Sequence, residues 1–319
     1  MCRYQHAGYA MNNLREIKGR LRSIRKNRQI MSAMQMVSAV KLRRIQTVVQ
    51  ASRPYAQRLE ALVSTFLNLK EEPALQHPFR LRRSVRRILW VVISTDRGLC
   101  GSLNTNLFRF IQQALRKRAG AQSAVALLLI GRKACDFFKH AQAKAADFRI
   151  EQAYPLEEAQ AEIIVRQVCD LYRKGQVDQV DLFYAQCKSI LRQVPARLPL
   201  LPIAPATCPP GSVARLNSPK SEVLRPDQTA GLQKCAGLFE PDPETIADDL
   251  LPRYLESRVR QILLEEQVSE HSARMIMMDQ ASKNASDMIG QIQMNYNTLR
   301  QGMITRELAD ITTGVEAMA

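Results

Sequence analysis

The residues with chemical potential are few. Ser94–Asn106 reads STDRGLCGSLNTN, with Gly98 and Gly101 between an apolar run and a helical stretch, the position where the first amides of a helix can hold phosphate. The spacing matches neither GxxxxGK(S/T) nor GxGxxG, so it reads as a tight strand-to-helix turn, with Asp96 and Arg97 as local turn or interface residues. Cys100 follows a strand and precedes a helix, a setting that can lower a thiol pKa. No Cys-His signature surrounds it, so its role is structural. His6, His77, His140 and His271 are isolated, which argues against a metal centre. Cys2, Cys100, Cys135, Cys169, Cys187, Cys208 and Cys235 form no CxxC pair, a pattern of reduced thiols rather than a disulfide scaffold or zinc site. The expectation is a chain with no catalytic, cofactor-binding or metal-ligating residues and no cofactor.

Charge is the next candidate for function. The chain has 319 residues and a formal net charge of +16, which permits nucleic acid, an anionic membrane surface or an acidic protein as partner. Arg80–Arg87, RLRRSVRR, reads as a solvated basic face able to meet acidic protein or lipid headgroups. No aromatic residues interrupt it, which disfavours base stacking. No run of about 18 apolar residues exists to span a membrane. Met1–Ala10 lacks the apolar core of a signal peptide and is short for a transit peptide, so residues 1–10 read as an extension of doubtful translation ahead of Met11.

The elements that must position any function lie at the two ends. Ile17, Ile24, Met31, Ser38, Ile45, Ser52, Leu59 and Phe66 recur every seven residues, as do Leu14, Leu21, Arg28, Gln35, Leu42, Val49, Ala56 and Val63. The two rows make one stripe on one helix face, the coiled-coil pattern, with Asn12 or Asn13 as N-cap and Pro54 kinking or interrupting the helix near Ser52. As helix, the 55 residues from Asn13 to Leu67 extend roughly 80 Å. A compact globule of this chain length is only about 50 Å across. Towards the C-terminus, Met278, Ala281, Ala285, Met288, Ile292 and Leu299 form a second stripe, continued on a shifted face by Ile304, Leu308, Ile311 and Val315. Ser269, Ser272, Ala273, Ala281, Ala285 and Gly302 are small enough for close backbone approach. Residues 12–66 carry 12 Lys or Arg against 2 acids, while residues 240–319 carry 7 against 14, so the two ends attract and should pair.

Between them the pattern is α/β. Ile88–Ser94, Val125–Ile130 and Val180–Ala185 are short apolar runs that fit buried strands. Asn104–Arg118, Lys133–Lys139 and Glu157–Lys174 read as the helices that alternate with them. The proline-rich tract Pro195–Pro226 reads as a loop or excursion, since proline suits neither helix nor central strand. FEPDPET, Phe239–Thr245, supplies turn chemistry and acid at the start of the last helix. The expected organisation is residues 11–70 as N-terminal coiled-coil helix, 71–239 as central α/β domain with its proline-rich excursion, and 240–319 as C-terminal coiled-coil helix.

Five segments carry a resemblance: IKGRLRSIRKNRQIMSAMQMVSAVKLRR, Ile17–Arg44; STDRGLCGSLNTNLFR; FEPDPETIADDLLPRYLESRV; SEHSARMIMMDQASKNASDMI; and YNTLRQGMITRELADITTGVEAM. Together they resemble the gamma subunit of the F-type ATP synthase, bacterial type, over nearly the whole chain from Met11 onward. The resemblance implies a long antiparallel coiled coil of N- and C-terminal helices plus a central Rossmann-like α/β domain. It implies a noncatalytic rotor stalk that couples ion-driven rotation of the membrane ring to conformational change in catalytic subunits. The implied partners are three alpha and three beta subunits, an epsilon subunit and the membrane c-ring, with no nucleic acid and one copy per complex. The implied location is peripheral, on the cytoplasmic side of a bacterial plasma membrane. By the same resemblance, Met34, Arg300, Gln301 and Thr305 fall at rotor-stator contacts. The resemblance departs at Met31 and Ser32, where many relatives carry Thr and a basic residue. The regulatory insert of chloroplast members is not recognisable, so no thiol switch is expected. Two other readings stand beside it: a basic coiled-coil adaptor for nucleic acid, marked by salt-dependent duplex binding, and a nucleotide-binding α/β enzyme using Gly98 and Gly101.

Overall fold

The computed structural model describes residues 2–68, 77–81, 83–118, 124–142, 149–154, 160–203 and 243–316. The elements are α1 (Cys2–Asn68), β1 (Arg87–Ile93), α2 (Leu103–Arg118), β2 (Ala124–Ile130), α3 (Arg132–Gln142), β3 (Arg149–Tyr154), α4 (Ala161–Arg173), β4 (Gln179–Ser189), β5 (Arg192–Leu201) and α5 (Pro243–Glu316). Contacts divide the chain into two compact units. One comprises the segments up to Ser38 and from Met275; the other is Ala39–Arg274.

The larger unit is built on a five-stranded sheet of order β3-β2-β1-β4-β5. The first four strands are parallel to their neighbours, and β5 returns antiparallel to β4. Parallel strands are covered on both faces and therefore read as continuous apolar runs; β1 is buried from Ile88 to Ile93. Alternate side chains then divide between two cores. Ile88, Trp90 and Val92 join Leu107, Phe108 and Ile111 of α2 and Phe138 of α3. Leu89, Val91 and Ile93 face the opposite way, into a cluster shared by Val168 and Tyr172 of α4, Val63 and Phe66 of α1, and Leu255 and Val259 of α5. The C-terminal part of α1 and the N-terminal part of α5 thus cover one face of the sheet that lies between them in sequence. Each such large side chain withdrawn from water contributes about 1.5–3 kcal/mol, which is why the ends return.

The smaller unit is an antiparallel helix pair. Arg25 donates to Gln293 at 2.8 Å, Arg28 to Ser286 at 3.5 Å and Gln35 to Asp279 at 3.1 Å, so residue numbers rise on one helix as they fall on the other. The heptad stripe of α1 is buried or half-buried at every position from Leu14 to Phe66 except Arg28. The polar interruption at Arg28 and Gln35 is where these cross-helix hydrogen bonds form. On α5, Met278 and Ala285 are buried and Ala281 and Ile292 half-buried as the expected stripe has them, but Met288 and Leu299 are exposed, and the half-buried positions beside Ile292 are Ile289 and Tyr296.

Several expectations change. Helix α1 already runs through Asn12 and Asn13, so neither caps it, and it continues past Pro54 without a break. Proline removes the amide that would bond Gln50, a loss of one donor that a long helix tolerates; Ser52 Oγ donates to the Val49 carbonyl beside it. The start of the proline-rich tract is strand β5, not loop. Pro195 and Pro199 stand opposite Ala185 and Asp181. Ala185 has its own amide bonded to a helix side chain rather than to β5, so these two prolines fall where β5 needs no ladder donor. That is the edge position proline can occupy. Residues 204–242, including the rest of the tract, lie outside the described residues. Strand β3, RIEQAY, was hidden by its polar content. Gly302 is not a close-approach site, since a side chain there meets open space.

At Gly131, with φ +93°, an added Cβ would run into the Ser94 carbonyl. Gly131→Ala should cost about 2–4 kcal/mol through strain and displacement of β1. Urea unfolding followed by the fluorescence of Trp90, the single tryptophan, checks this; a midpoint equal to that of the unsubstituted chain contradicts it.

Candidate functional site

The glycine turn after β1 is closed on itself. Asn104 Nδ2 donates to Thr95 Oγ1 at 2.7 Å and reaches Cys100 Sγ at 3.4 Å, while Thr95 Oγ1 donates to the Arg97 carbonyl at 2.8 Å. Asp96 accepts the first amide of α3, from Arg132, at 2.9 Å, and so caps a helix in the way an N-terminal acid stabilises it. Leu99 and Gly101 both adopt left-handed φ, 65° and 62°, a conformation that costs a leucine roughly 1–2 kcal/mol. Arg274 of α5 holds this turn, donating to the carbonyls of Gly98 at 3.2 Å and Arg97 at 3.4 Å. The side chains of Thr95, Asp96 and Asn104 are thus engaged within the turn and at the start of α3.

Arg274 belongs to the most informative surface of the larger unit. Between Tyr254 and Arg274 helix α5 is buried almost all round, and that stretch contains charged and hydroxyl residues: Arg258, Glu265, Glu266, Ser269, Glu270 and Ser272. Strand β4 extends beyond the end of β1, whose last partner on it is Phe183. The next backbone groups facing that side belong to Ala185. The Ala185 amide donates to Glu266 Oε2 at 2.6 Å, and Ser269 Oγ donates to the Ala185 carbonyl at 2.6 Å. Two helix side chains replace the missing strand. Glu270 pairs with Arg274 at 2.6 Å, and the guanidinium also meets the turn carbonyls and His271 Nδ1 at 3.4 Å, so this buried pair is satisfied as buried charge must be.

Electrostatics follows burial. Burial pushes the Glu266 carboxyl well above its ordinary range, with Glu270 and Glu265 adding to the effect and the Ala185 amide opposing it. Its second oxygen accepts no hydrogen bond among the described residues. His271 is held down to about 4 by burial, then by Arg274, Lys41 and Arg97, and is neutral at pH 7. Burial raises Cys100 and takes Cys169 and Cys187 to about 11. These are poor nucleophiles, since the reactive form is the thiolate. Among the described residues no group of three His, Cys, Asp or Glu could hold a metal ion, and no helix is long and apolar enough to cross a membrane. The basic run is partly structural: Arg80 donates to the Leu67 carbonyl, and Arg83 donates to the Tyr172 carbonyl while lying over that ring at 5.0 Å.

In the smaller unit Met34 is half-buried, and Arg300, Gln301 and Thr305 are exposed. Thr305 Oγ1 bonds back to the Gln301 carbonyl at 3.0 Å, joining those two, while Met34 stands apart. Its neighbour Gln35 meets Asp279, about 30 Å along α5 from Arg300 at 1.5 Å per residue. Ile304, Leu308, Ile311 and Val315 form an exposed apolar row, each between 44% and 64% accessible. Glu266, Ser269 and Arg274 were not legible as a unit. The available signal was acids and hydroxyls at positions of a helix otherwise apolar on every side; Ser269 reads from sequence only as a small residue.

A long antiparallel helix pair in one chain with a five-stranded α/β body is the class of fold. Residues 13–318 match the family model described as ATP synthase. The ATP synthase gamma chain of Heliobacterium modesticaldum is 36% identical over 308 residues, covering 97% of this chain and 100% of that one, as is the gamma chain of Moorella thermoacetica. The fold is shared with a chain of the Euglena gracilis mitochondrial ATP synthase, OSCP/F1/c-ring, at TM-score 0.62 and 20% identity, covering 96% of this chain and 95% of that one. A chain of the rotor of the same organism's enzyme aligns at TM-score 0.59 and 19% identity, covering 92% and 99%. The chain belongs to the ATP synthase gamma chain family. It is a noncatalytic central-stalk subunit of a membrane-associated complex, and the adaptor and nucleotide-enzyme readings give way.

Because the folded state binds the Glu266 proton more tightly than the unfolded chain, this group contributes a stability that is present at acid pH and lost as pH rises above about 4.3. Glu266→Gln keeps an acceptor for Ala185 and removes the titration. Urea midpoints of the full-length chain between pH 5 and 8 should fall less steeply for E266Q than for the unsubstituted chain. Equal slopes contradict the assignment.

Proposed function

We propose that this chain is the central rotor of an F-type ATP synthase, one copy turning inside a ring of three alpha and three beta subunits. Its α/β body meets an epsilon subunit and the membrane c-ring, and the complex sits on the cytoplasmic side of a bacterial plasma membrane. The gamma chain match over 97% of the chain carries this reading. A helix pair whose exposed surface differs around its circumference touches each catalytic subunit differently as it turns. Only such differential contact can shift the subunits among states of unequal nucleotide affinity. Arg300, Gln301 and Thr305 are exposed on α5 and are proposed as mechanical contacts to the stator, with Met34 as a separate contact at its own level of the helix pair. The row Ile304, Leu308, Ile311 and Val315 suits an apolar collar.

The test is copurification. Tagged chain should bring down a three-plus-three ATPase ring; a stable homodimer indifferent to that ring contradicts the proposal. Within the assembled complex, Arg300→Ala should lower coupled ATP synthesis about tenfold, equivalent to roughly 1.4 kcal/mol of lost contact, without loss of assembly. Unchanged synthesis removes Arg300 from the contact.

A further inference from the structure

We propose that Glu266 and Ser269 are positioning residues of torque transfer: together they key helix α5 to strand β4 and fix the helix's rotation about its own axis on the sheet. The inference rests on the rotor reading above, because only a turning shaft loads this joint.

Most of what holds α5 to the body is apolar. Ala247, Leu251, Leu255, Val259, Ile262 and Leu263 lie in the core cluster shared with the sheet. Apolar burial is non-directional: a helix held by it alone resists being pulled off the sheet more strongly than it resists a small roll or slide. The two bonds to Ala185 are different in kind. Both partners on the β4 side belong to one residue's backbone, whose amide and carbonyl are fixed by the strand. Both contacts are 2.6 Å long, and both helix atoms are withdrawn from water, with Glu266 and Ser269 at 0% exposure. One residue of roll or one residue of slide breaks both together and leaves a buried amide, a buried carbonyl and a buried carboxyl unpaired, the expensive outcome for buried polar groups. Residues 266 and 269 are three apart and therefore neighbours on one helix face, so they grip a single point from one side.

The key also explains why polar residues stand in the most buried stretch of α5. A leucine at either position would add burial but no angular preference. Since α5 is one helix from Pro243 to Glu316, torque applied to the body reaches its C-terminal part through this stretch, one of two routes, the other being α1, which is one helix from Cys2 to Asn68.

The test uses the assembled complex in inverted membrane vesicles, measuring ATP hydrolysis and ATP-driven proton pumping together. Ser269→Ala removes one hydroxyl and Glu266→Leu removes the acceptor, whereas Glu266→Gln keeps an acceptor. Ser269→Ala and Glu266→Leu should hydrolyse ATP within about twofold of the unsubstituted complex but pump several-fold fewer protons per ATP, and Glu266→Gln should pump normally. A purely structural role lowers both activities in parallel through lost assembly and leaves their ratio intact, which overturns the proposal, as does an unchanged ratio in Ser269→Ala. If Glu266→Leu does not assemble, Ser269→Ala decides alone. Failure of the unsubstituted chain to join an ATPase ring counts against the rotor reading instead, and that result is separate from the ratio.

Discussion

Strand β1 ends while β4 continues, and the backbone left without a neighbour at Ala185 has to be satisfied deep inside the body. A buried amide without a partner costs on the order of 1–3 kcal/mol, and water is shut out by the helices on that face. The chain meets the demand from its own last helix, with a carboxyl for the amide and a hydroxyl for the carbonyl. The same stretch of α5 then supplies Arg274 to the strained turn after β1. Side chains of the helix thereby hold backbone atoms at two separate points of the sheet's rim, beside its apolar packing. Every requirement falls on α5, which is why acid, hydroxyl and guanidinium groups occur where the surrounding pattern is apolar.

The sheet itself imposes a second requirement. A parallel sheet has to be covered on both faces, and the crossover helices here supply enough surface for one face and part of the other. Helices α2 and α3 fill the first. The second holds α4 together with the end of α1 and the beginning of α5, so the body is incomplete until the C-terminal segment arrives. An element that will carry load is thus part of the core and not an appendage to it.

Helix α1 was legible because a heptad stripe is a repeated signal that single polar breaks do not erase, whereas the stripe expected on α5 was displaced at Met288 and Leu299, which are exposed. The breaks in α1 proved to be hydrogen-bonding positions at Arg28 and Gln35. The central strands were legible from their branched apolar runs. Strand β3 was not, because RIEQAY mixes charged and amide residues with its apolar ones and shows no branched apolar run. Strand β5 was masked by Pro195 and Pro199, whose tolerance depends on which way each residue's amide points across the β4 register. No linear pattern contains that information. The key at Ala185 was illegible for the same reason: Glu266 and Ser269 acquire their role from a strand end some eighty positions away. Asp96 came nearest to being readable, as a turn acid beside a strand end, although the helix it caps is α3 and not the one that follows it directly.

Rotation is what joins a helix keyed into the sheet and a family of ATP synthase gamma chains into one account. The direct measurement is single-molecule: a probe attached to the α/β body of this chain, in a surface-fixed complex with the three-plus-three ATPase ring, observed under ATP. The account predicts continuous ATP-dependent turning in one direction, in three steps per revolution. A probe that stays fixed while the ring hydrolyses ATP at its full rate contradicts it.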